Sequence, residues 1–227
     1  MAKRIHNKIF LDIRSISKSY LIRNERKIIL SSIKFSIASN EFVTVIAPDG
    51  NGKSTLFNCI IGVENVDEGL IFYEDQNFTE LTEGEKNVFR NKNLGIIYSA
   101  NNLIEYLTVA ENIELGMQSN KIDNRSVKIK EIIKFLNIED IENTLVQELS
   151  PLESIKASFA KVIAKSPKML ILDEPDAKLQ SMEKAELIGL LKRIHSELQI
   201  SILIFSSDTK IAMSSGRVIR MDNGKII

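Results

Sequence analysis

Between two apolar runs the chain reads Ala47-Pro48-Asp49-Gly50-Asn51-Gly52-Lys53-Ser54-Thr55. The preceding run, residues 42–46, has the β-branched and aromatic composition of a buried strand, and residues 56–61 have the composition of an apolar helix. A glycine-rich turn that ends in Lys-Ser between a strand and a helix is the setting in which a phosphate-binding loop is expected. The alternative is a glycine-rich turn with a surface lysine. Such a turn would require neither the strand before it nor the helix after it.

This loop can hold a nucleotide through its backbone as well as its side chains. Successive N–H groups and the N-terminus of the following helix make a positive concavity for phosphates. Lys53 can reach the β- and γ-phosphates, and the Ser54 hydroxyl can ligate Mg²⁺. The first glycine of the pattern G-x-x-x-x-G-K-[ST] is Ala47 here, which can restrict the backbone but removes no hydrogen-bond donor. We therefore expect residues 47–55 to bind ATP together with Mg²⁺.

The composition narrows the remaining function classes. With 227 residues, 44% of them hydrophobic, the chain can bury the core of one large domain or of a domain with a subdomain. Its 30 basic and 30 acidic residues cancel, so no overall field indicates a nucleic-acid partner or an anionic membrane. The single cysteine, Cys59, lies in the apolar run after the loop and predicts a buried thiol. No apolar run approaches membrane-spanning length, which predicts a soluble, cytoplasmic chain.

The periodicity of apolar residues changes along the chain. Within residues 8–46, strands are expected at 9–13, 28–30, 33–37 and 42–46, and further strands are expected at 69–73 and 94–98. Between about 105 and 165 the pattern becomes helical, with one apolar face formed by Ile129, Ile132, Ile133 and Leu136. Strand and helix then alternate before a closing hairpin turned by Asn223-Gly224. This order predicts an α/β P-loop NTPase core with an antiparallel β subdomain and a helical subdomain.

Further stretches carry a resemblance to a known family. Residues 89–98 and 107–112 resemble the segments that flank the Q-loop in ABC transporter ATPases, closest to the lipoprotein-release, macrolide-efflux and cell-division branch. Residues 170–175 read Leu-Ile-Leu-Asp-Glu-Pro and are similar to a Walker B strand with its following dipeptide. The resemblance extends along nearly the whole chain. It implies one ABC nucleotide-binding domain, whose core and β subdomain occupy about 1–98 and 166–227 and whose helical subdomain occupies about 99–165.

The resemblance implies a role for each residue that matches a family motif. Tyr20 stands where the family has an aromatic ring that stacks on adenine; a tyrosine that packs on the core at a strand end is the alternative. Asp173 would hold Mg²⁺ with Ser54, directly or through water. Glu174 would be the general base toward the attacking water, and Lys53 would be the second catalytic residue, at the phosphates. An Asp-Glu pair that only caps the next helix is the alternative.

Several family positions carry a different residue in this chain. Ser99 stands at the Q-loop glutamine, Ser207 at the switch histidine that contacts the γ-phosphate, and Gln180 at the D-loop aspartate. The signature Leu-Ser-Gly-Gly-Gln/Glu reads Leu-Ser-Pro-Leu-Glu at residues 149–153. A serine hydroxyl is shorter than an amide or an imidazole and has no cationic form. We therefore expect Ser99 and Ser207 to be weak substitutes in the catalytic machinery.

The signature change can be judged from the chemistry of its residues. In the family this motif clamps the γ-phosphate that the opposite subunit binds. Pro151 has no N–H to donate, and Leu152 adds a side chain where the backbone must approach closely. Ser150 and Glu153 nevertheless match a capping box, with Pro151 at the first helical position. We predict a retained helix with a weakened clamp, and with the other substitutions this favours reduced hydrolysis over tolerated drift.

The resemblance also implies the partners. We expect a homodimer, or a heterodimer with a second ABC ATPase, docked on a membrane permease at the inner face of the cell membrane, and no nucleic-acid partner. Pairing with an intact subunit cannot fully repair either site, because one site would use this chain's serines and the other its altered signature. A fully competent transport ATPase and an ATP-sensing scaffold of an envelope complex are the alternative functions.

Overall fold

A computed structural model describes residues 8–98, 103–117 and 124–227, which form two sheets with helices packed around them. The strands are β1 (Ile9–Ile22), β2 (Glu25–Ala38), β3 (Phe42–Ile46), β4 (Glu68–Tyr73), β5 (Gln76–Asn77), β6 (Leu94–Ile97), β7 (Met169–Asp173), β8 (Ser201–Ser206), β9 (Arg217–Asp222) and β10 (Lys225–Ile226). The helices are α1 (Lys53–Ile60), α2 (Glu83–Asn93), α3 (Val109–Met117), α4 (Arg125–Leu136), α5 (Pro151–Ile163), α6 (Ser181–Leu198) and α7 (Thr209–Ser214).

The larger sheet has its strands in the order β10-β9-β3-β8-β7-β6, parallel except for the β9–β10 hairpin. Every residue of β7 and β8 is buried, as expected for parallel strands covered on both faces. Because side chains alternate along a strand, Leu170 and Leu172 pack with α5 and α6, whereas Met169 and Ile171 pack with α1 and the smaller sheet. The α/β architecture predicted from the sequence is confirmed.

The smaller sheet is antiparallel, with the order β2-β1-β4-β5. It corrects the predicted strand lengths: β1 continues to Ile22 rather than ending near residue 13, and the predicted strands 28–30 and 33–37 are one strand, β2. The pairing of β1 is interrupted between Ile13 and Ser19, where Ser15 has a φ of 53°. Such irregular pairing breaks the two-residue alternation of apolar side chains, so the sequence pattern understates both strands.

The helical region packs on one face of the larger sheet through α3, α4 and α5. In α4, Ile132, Ile133 and Leu136 are buried and Ile129 is partly buried against them, which confirms the predicted apolar face. The boundaries given for the helical subdomain, about 99 and 165, stay predictions. None of the helices within the described ranges is long and apolar enough to cross a bilayer.

The β9–β10 hairpin joins the edge of the larger sheet to the phosphate loop. Asn223 and Gly224 both have positive φ angles, 45° and 72°, as a two-residue hairpin turn requires. The Asn223 amide donates to Asn51 Oδ1 at 2.6 Å, and the Gly224 carbonyl accepts from the Ser31 amide at 2.8 Å. The predicted turn is therefore confirmed, and it also supports the loop that carries the candidate site.

Gly69 is the residue on which the pairing of β4 with the irregular part of β1 depends. Its φ is +85°, and a Cβ there would lie 2.5 Å from the Ser15 carbonyl oxygen and 2.6 Å from that of Arg14. We expect Gly69→Ala to lower the free energy of unfolding by about 1–3 kcal/mol, measured by urea denaturation. Gly189→Ala is the matched control, since the site in α6 is open and alanine favours a helix by about 0.5–1 kcal/mol. Equal effects of the two substitutions would contradict this account.

Candidate functional site

The chemistry-bearing residues meet at one edge of the larger sheet. Strands β3, β8 and β7 are neighbours and run in parallel, so their carboxyl ends lie side by side. The loop 47–55 follows β3, Asp173 ends β7 and Ser206 ends β8. A crevice at the carboxyl edge of a parallel sheet is where α/β folds bind their ligands. The crevice here is lined by Tyr20, Ile29, Asp49, Gly50, Gly52, Lys53, Ser54, Thr55, Glu174 and Ala177.

The loop adopts backbone angles that its glycines permit. Gly50 and Gly52 have φ angles of 77° and 92°, in the region that L side chains rarely adopt. A Cβ on Gly52 would also come within 3.1 Å of the Ile29 carbonyl oxygen. Ala47 has no positive φ, so alanine in place of the first family glycine imposes no backbone strain. The substitution that departs from the usual pattern is therefore compatible with the loop.

Lys53 carries the positive charge at the centre of the site. Its side chain is only 5% exposed, and Nζ donates to the Ala47 carbonyl oxygen at 2.6 Å. The same nitrogen lies 3.1 Å from Asp49 Oδ1 and 3.1 Å from Glu174 Oε1. The contact with Glu174 is a charge pair without hydrogen-bond alignment, since that oxygen has no hydrogen-bond partner. Asp49 is the largely exposed partner, so water screens its attraction.

Asp173 provides a buried oxygen that is left without a partner. The residue is 7% exposed, and Oδ1 is buried with no hydrogen bond in the structure. The pKa of the Asp173 carboxyl is raised above its ordinary value, mainly by burial and further by the charge of Glu174. A hydrogen bond with the Ser54 side chain and the charge of Lys53 oppose this rise in part. The two predicted metal ligands, Ser54 and Asp173, are therefore in contact. A carboxylate and a hydroxyl beside a phosphate site suit Mg²⁺, which takes few protein ligands.

Glu174 and Ser207 face each other across the ends of β7 and β8. The Ser207 hydroxyl lies 3.4 Å from Glu174 Oε2, and Ser207 is exposed to solvent. Glu174 has a φ of 48°, and its amide donates to the Phe205 carbonyl oxygen at 2.9 Å. A positive φ in a residue other than glycine costs about 1–3 kcal/mol and persists where surrounding contacts impose it. The structure therefore brings Glu174 and Ser207 together, beside Lys53.

Tyr20 lines the same crevice but is not a free ring. Its hydroxyl donates to Glu64 Oε2, the Thr55 hydroxyl is a second neighbour, and the Lys18 ammonium lies 5.5 Å from the ring centroid. Burial and the bond to Glu64 raise the pKa of Tyr20 to about 12. The ring is half-buried beside Gly52 and Thr55. Stacking on adenine stays a prediction, whereas the support from Glu64 was not anticipated.

The signature residues lie at the beginning of α5. Ser150 Oγ donates to Glu153 Oε2 at 2.7 Å, the Ser150 amide donates to the same oxygen at 2.8 Å, and Pro151 occupies the first turn. The predicted capping box and retained helix are confirmed. The Ser150 hydroxyl is thus engaged within its own helix start. Leu152 is partly buried and packs against the helical core.

Of the two remaining altered positions, one lies among the described residues and one does not. Ser99 lies outside the described residues. Gln180 immediately precedes α6, is exposed, and its amide donates to Glu183 Oε2 at 2.7 Å. The sequence interpretation missed Asp49 as a partner of Lys53, because the two residues are joined by the loop and not by a helix, on which a spacing of four would have indicated contact. It also missed the contact of Asn51 with Asn223, for which no local signal exists.

Comparison with known proteins places these observations in context. The family model described as ABC transporter matches residues 30–177. The bacitracin export ATP-binding protein BceA of Halalkalibacterium halodurans is 31% identical over 218 residues, covering 95% of this chain and 86% of that protein. The lipoprotein-releasing system ATP-binding protein LolD of Wigglesworthia glossinidia brevipalpis is 27% identical over 227 residues, covering 98% of each. The dimeric ABC transporter cassette MJ0796 has the same fold, with a TM-score of 0.87 at 24% identity over 95% of this chain and 96% of that one.

The capping box makes the start of α5 sensitive to pH. Hydrogen bonds from the Ser150 hydroxyl and amide hold the pKa of Glu153 below its usual value. Ionised Glu153 therefore stabilises the fold above its unfolded-state pKa of about 4.3, and the stabilisation is lost as the pH falls through the lower folded pKa. We expect Glu153→Ala to cost about 0.3–1 kcal/mol near neutral pH.

This difference should shrink toward zero in urea denaturation series carried from neutral pH to below about pH 4. Glu197→Ala, at an exposed position of α6, is the matched control, because it removes a carboxylate that caps no helix start. A cost of Glu153→Ala that stays constant across the series would rule out the capping carboxylate as its source.

Proposed function

The chain belongs to the ABC transporter family as one of its ATP-binding subunits, and we propose that it binds MgATP but hydrolyses it slowly. By family it is a P-loop ATPase, so the resemblance drawn from the sequence is confirmed. The observation that carries the proposal is the contrast within one crevice: Lys53, Ser54 and Asp173 are assembled for nucleotide and metal, whereas a serine faces Glu174.

Nucleotide binding is supported by the way in which the loop compensates the positive charge of Lys53. Lys53 is buried against two carboxylates and a carbonyl oxygen, so its charge is compensated without a ligand. A phosphate that enters the loop would exchange these contacts for charge-assisted bonds to Lys53 and to backbone N–H groups. The exposed carboxylate of Asp49 would turn toward solvent at little cost, because it is mostly hydrated already.

The residues also fit a divalent cation. Asp173 Oδ1 is a buried oxygen without a hydrogen-bond partner, and the Ser54 side chain is a neighbour of the Asp173 carboxyl. These two residues would hold Mg²⁺, which when bound neutralises phosphate charge and polarises the phosphoryl group. Among the described residues, no cluster of three or more His, Cys, Asp or Glu side chains offers another metal site. Two protein oxygens are sufficient, since Mg²⁺ takes its other ligands from phosphate and water.

The weak step is the activation of water. Glu174 would accept the proton of the attacking water as general base, and its Oε2 lies toward Ser207. The Ser207 hydroxyl can orient a water molecule but cannot place a positive charge at the γ-phosphate. Ser99, the altered Q-loop position, would contribute little for the same reason of short reach. Hydrolysis should therefore be slow even where nucleotide binding is intact.

The remaining parts of the proposal concern partners. The Ser150 hydroxyl is used to cap α5, and the next residue, Pro151, has no N–H. Such a subunit would therefore clamp the nucleotide of an opposite subunit weakly. We infer a dimeric subunit, homotypic or paired with a second ABC ATPase, attached to a membrane permease at the inner face of the membrane. Nucleotide-dependent closure would reach the permease through the surface around residues 99–118, part of which lies outside the described residues.

Binding and cleavage can be separated by two substitutions. Lys53→Met should weaken MgATP binding about 10–100-fold in calorimetry, because charge-assisted bonds worth about 1.5–3 kcal/mol are lost. Glu174→Gln should retain binding within about threefold and abolish any residual phosphate release, since the amide cannot accept a proton. Lys86→Met is the matched control, a lysine just as buried that bonds Asn65 away from the crevice. Wild-type protein without measurable affinity for MgATP would refute the proposal.

Restoring a histidine tests whether Ser207 limits turnover. Ser207→His should raise the rate of phosphate release by at least about tenfold, because the imidazole supplies a longer donor with a cationic form. Ser196→His, at an exposed position on α6, is the control and should leave the rate unchanged. A wild-type rate already near the typical enzyme value of about 10 s⁻¹, and unaffected by Ser207→His, would favour the competent transport ATPase instead.

A further inference from the structure

Behind the Glu174–Ser207 contact, polar side chains from three segments form a closed ring. The Ser206 hydroxyl donates to Asp176 Oδ1 at 2.9 Å, and Lys184 Nζ lies 3.1 Å from Asp176 Oδ2. The same Nζ donates to Asp208 Oδ2 at 2.8 Å, and the Asp208 amide donates to Ser206 Oγ at 3.0 Å. We call these four residues, Asp176, Lys184, Ser206 and Asp208, the Asp176 ring.

Two members anchor the ring in the interior, whereas Lys184 and Asp208 are partly exposed. Asp176 is 2% exposed and Ser206 is fully buried. Both oxygens of the Asp176 carboxylate have partners, so its charge is compensated and its burial is tolerated. Lys184 is held between two carboxylates, and its hydrogen bond to Asp208 raises its pKa while lowering that of Asp208. Asp208 uses its other oxygen to cap α7 through the Lys210 amide.

The ring encloses the segments that carry the two facing residues of the site. Asp176 lies two positions after Glu174, and Ser206 and Asp208 stand on either side of Ser207. Lys184, from the first turns of α6, bridges the two segments. The Ser207 side chain itself is exposed, and its contact with Glu174 is long, at 3.4 Å. A contact of that length does not fix the position of Ser207. Its position is instead set by its chain neighbours Ser206 and Asp208, which belong to the ring.

We propose that Asp176 and Lys184 are positioning residues that hold the Ser207 hydroxyl opposite the Glu174 carboxylate. In this arrangement Ser207 can orient the water from which Glu174 accepts a proton, although the hydroxyl lacks the reach of a larger side chain. The proposal rests on the proposed function for the reaction it serves, but the ring contacts themselves do not depend on nucleotide. Asp176 and Lys184 are not among the residues that line the crevice, and they act through the segments that they join.

The test separates positioning from simple stabilisation of the fold. In full-length protein, Lys184→Met should leave MgATP affinity within about twofold but lower the single-turnover rate of phosphate release about 10–100-fold, as small misplacements at a reacting centre do. Lys184→Arg keeps the charge and the donors and should restore most of the rate. Lys156→Met, which breaks the pair of Lys156 in α5 with Glu186 in α6, is the matched control and should preserve the rate.

A double-variant comparison gives the decisive readout. If the ring acts through Ser207, then Ser207→Ala slows the wild-type protein but has no further effect in the Lys184→Met background. Multiplicative effects of the two substitutions would overturn the proposal. A loss of affinity in Lys184→Met equal to its loss of rate would do the same, because it would mark general damage to the site.

Hydrogen exchange tests the proposal without a rate of hydrolysis. It therefore also serves if wild-type turnover is too slow for a further decrease to be measured. Lys184→Met should accelerate exchange in residues 174–180 and 206–210 of the nucleotide-free protein, while Lys156→Met should not. Unchanged exchange in these segments would overturn the proposal. Failure of the proposed function would be distinguishable, since it would show as absent MgATP binding by the wild type with the exchange difference intact.

Discussion

The site depends on one buried positive charge at the carboxyl edge of a parallel sheet. The Lys53 ammonium lies among the Ala47 carbonyl oxygen, Asp49 and Glu174, and it supplies the positive charge among the described residues that line the crevice. A buried positive charge requires nearby compensating groups, so the loop, the strand end and the helix start must be placed together. Gly50 and Gly52 supply the loop geometry, and the hairpin at Asn223 supports the loop from behind. The same charge that organises the loop is available to a triphosphate.

The helix start at Ser150 shows how one residue can satisfy folding at the expense of a shared site. A serine hydroxyl can cap its own helix or reach toward a ligand, and here it is bonded to Glu153 within the capping box. Pro151 favours the same helix start while removing an N–H. Each residue of the segment therefore strengthens α5 and, in the proposed dimer, would weaken what the motif offers an opposite subunit. In that proposal the stable helix start and the weak clamp have a common cause.

The Asp176 ring and the Glu64–Tyr20 bond add support around the candidate site. Both use carboxylates to fix groups that lie at the rim of the crevice. In the first case, a buried ion pair joins the segments that carry Glu174 and Ser207. In the second, Glu64 holds a tyrosine ring beside Gly52 and Thr55. These contacts order the rim before any ligand arrives, which reduces the conformational entropy that binding would otherwise cost.

Sequence alone determined the features that arise from local interactions. The phosphate loop, the capping box at Ser150 and the hairpin turn at Asn223-Gly224 each depend on a few consecutive residues, so their patterns were sufficient. The tertiary structure decided the rest. The Tyr20–Glu64 bond spans 44 residues, the Ser206–Asp176 bond 30, and the Asn223–Asn51 bond 172. Such pairs leave no periodic or neighbouring signal, because only the crossover topology of the sheets brings their segments together. The full lengths of β1 and β2 were hidden for a related reason, since their irregular pairing breaks the alternation by which strands are recognised.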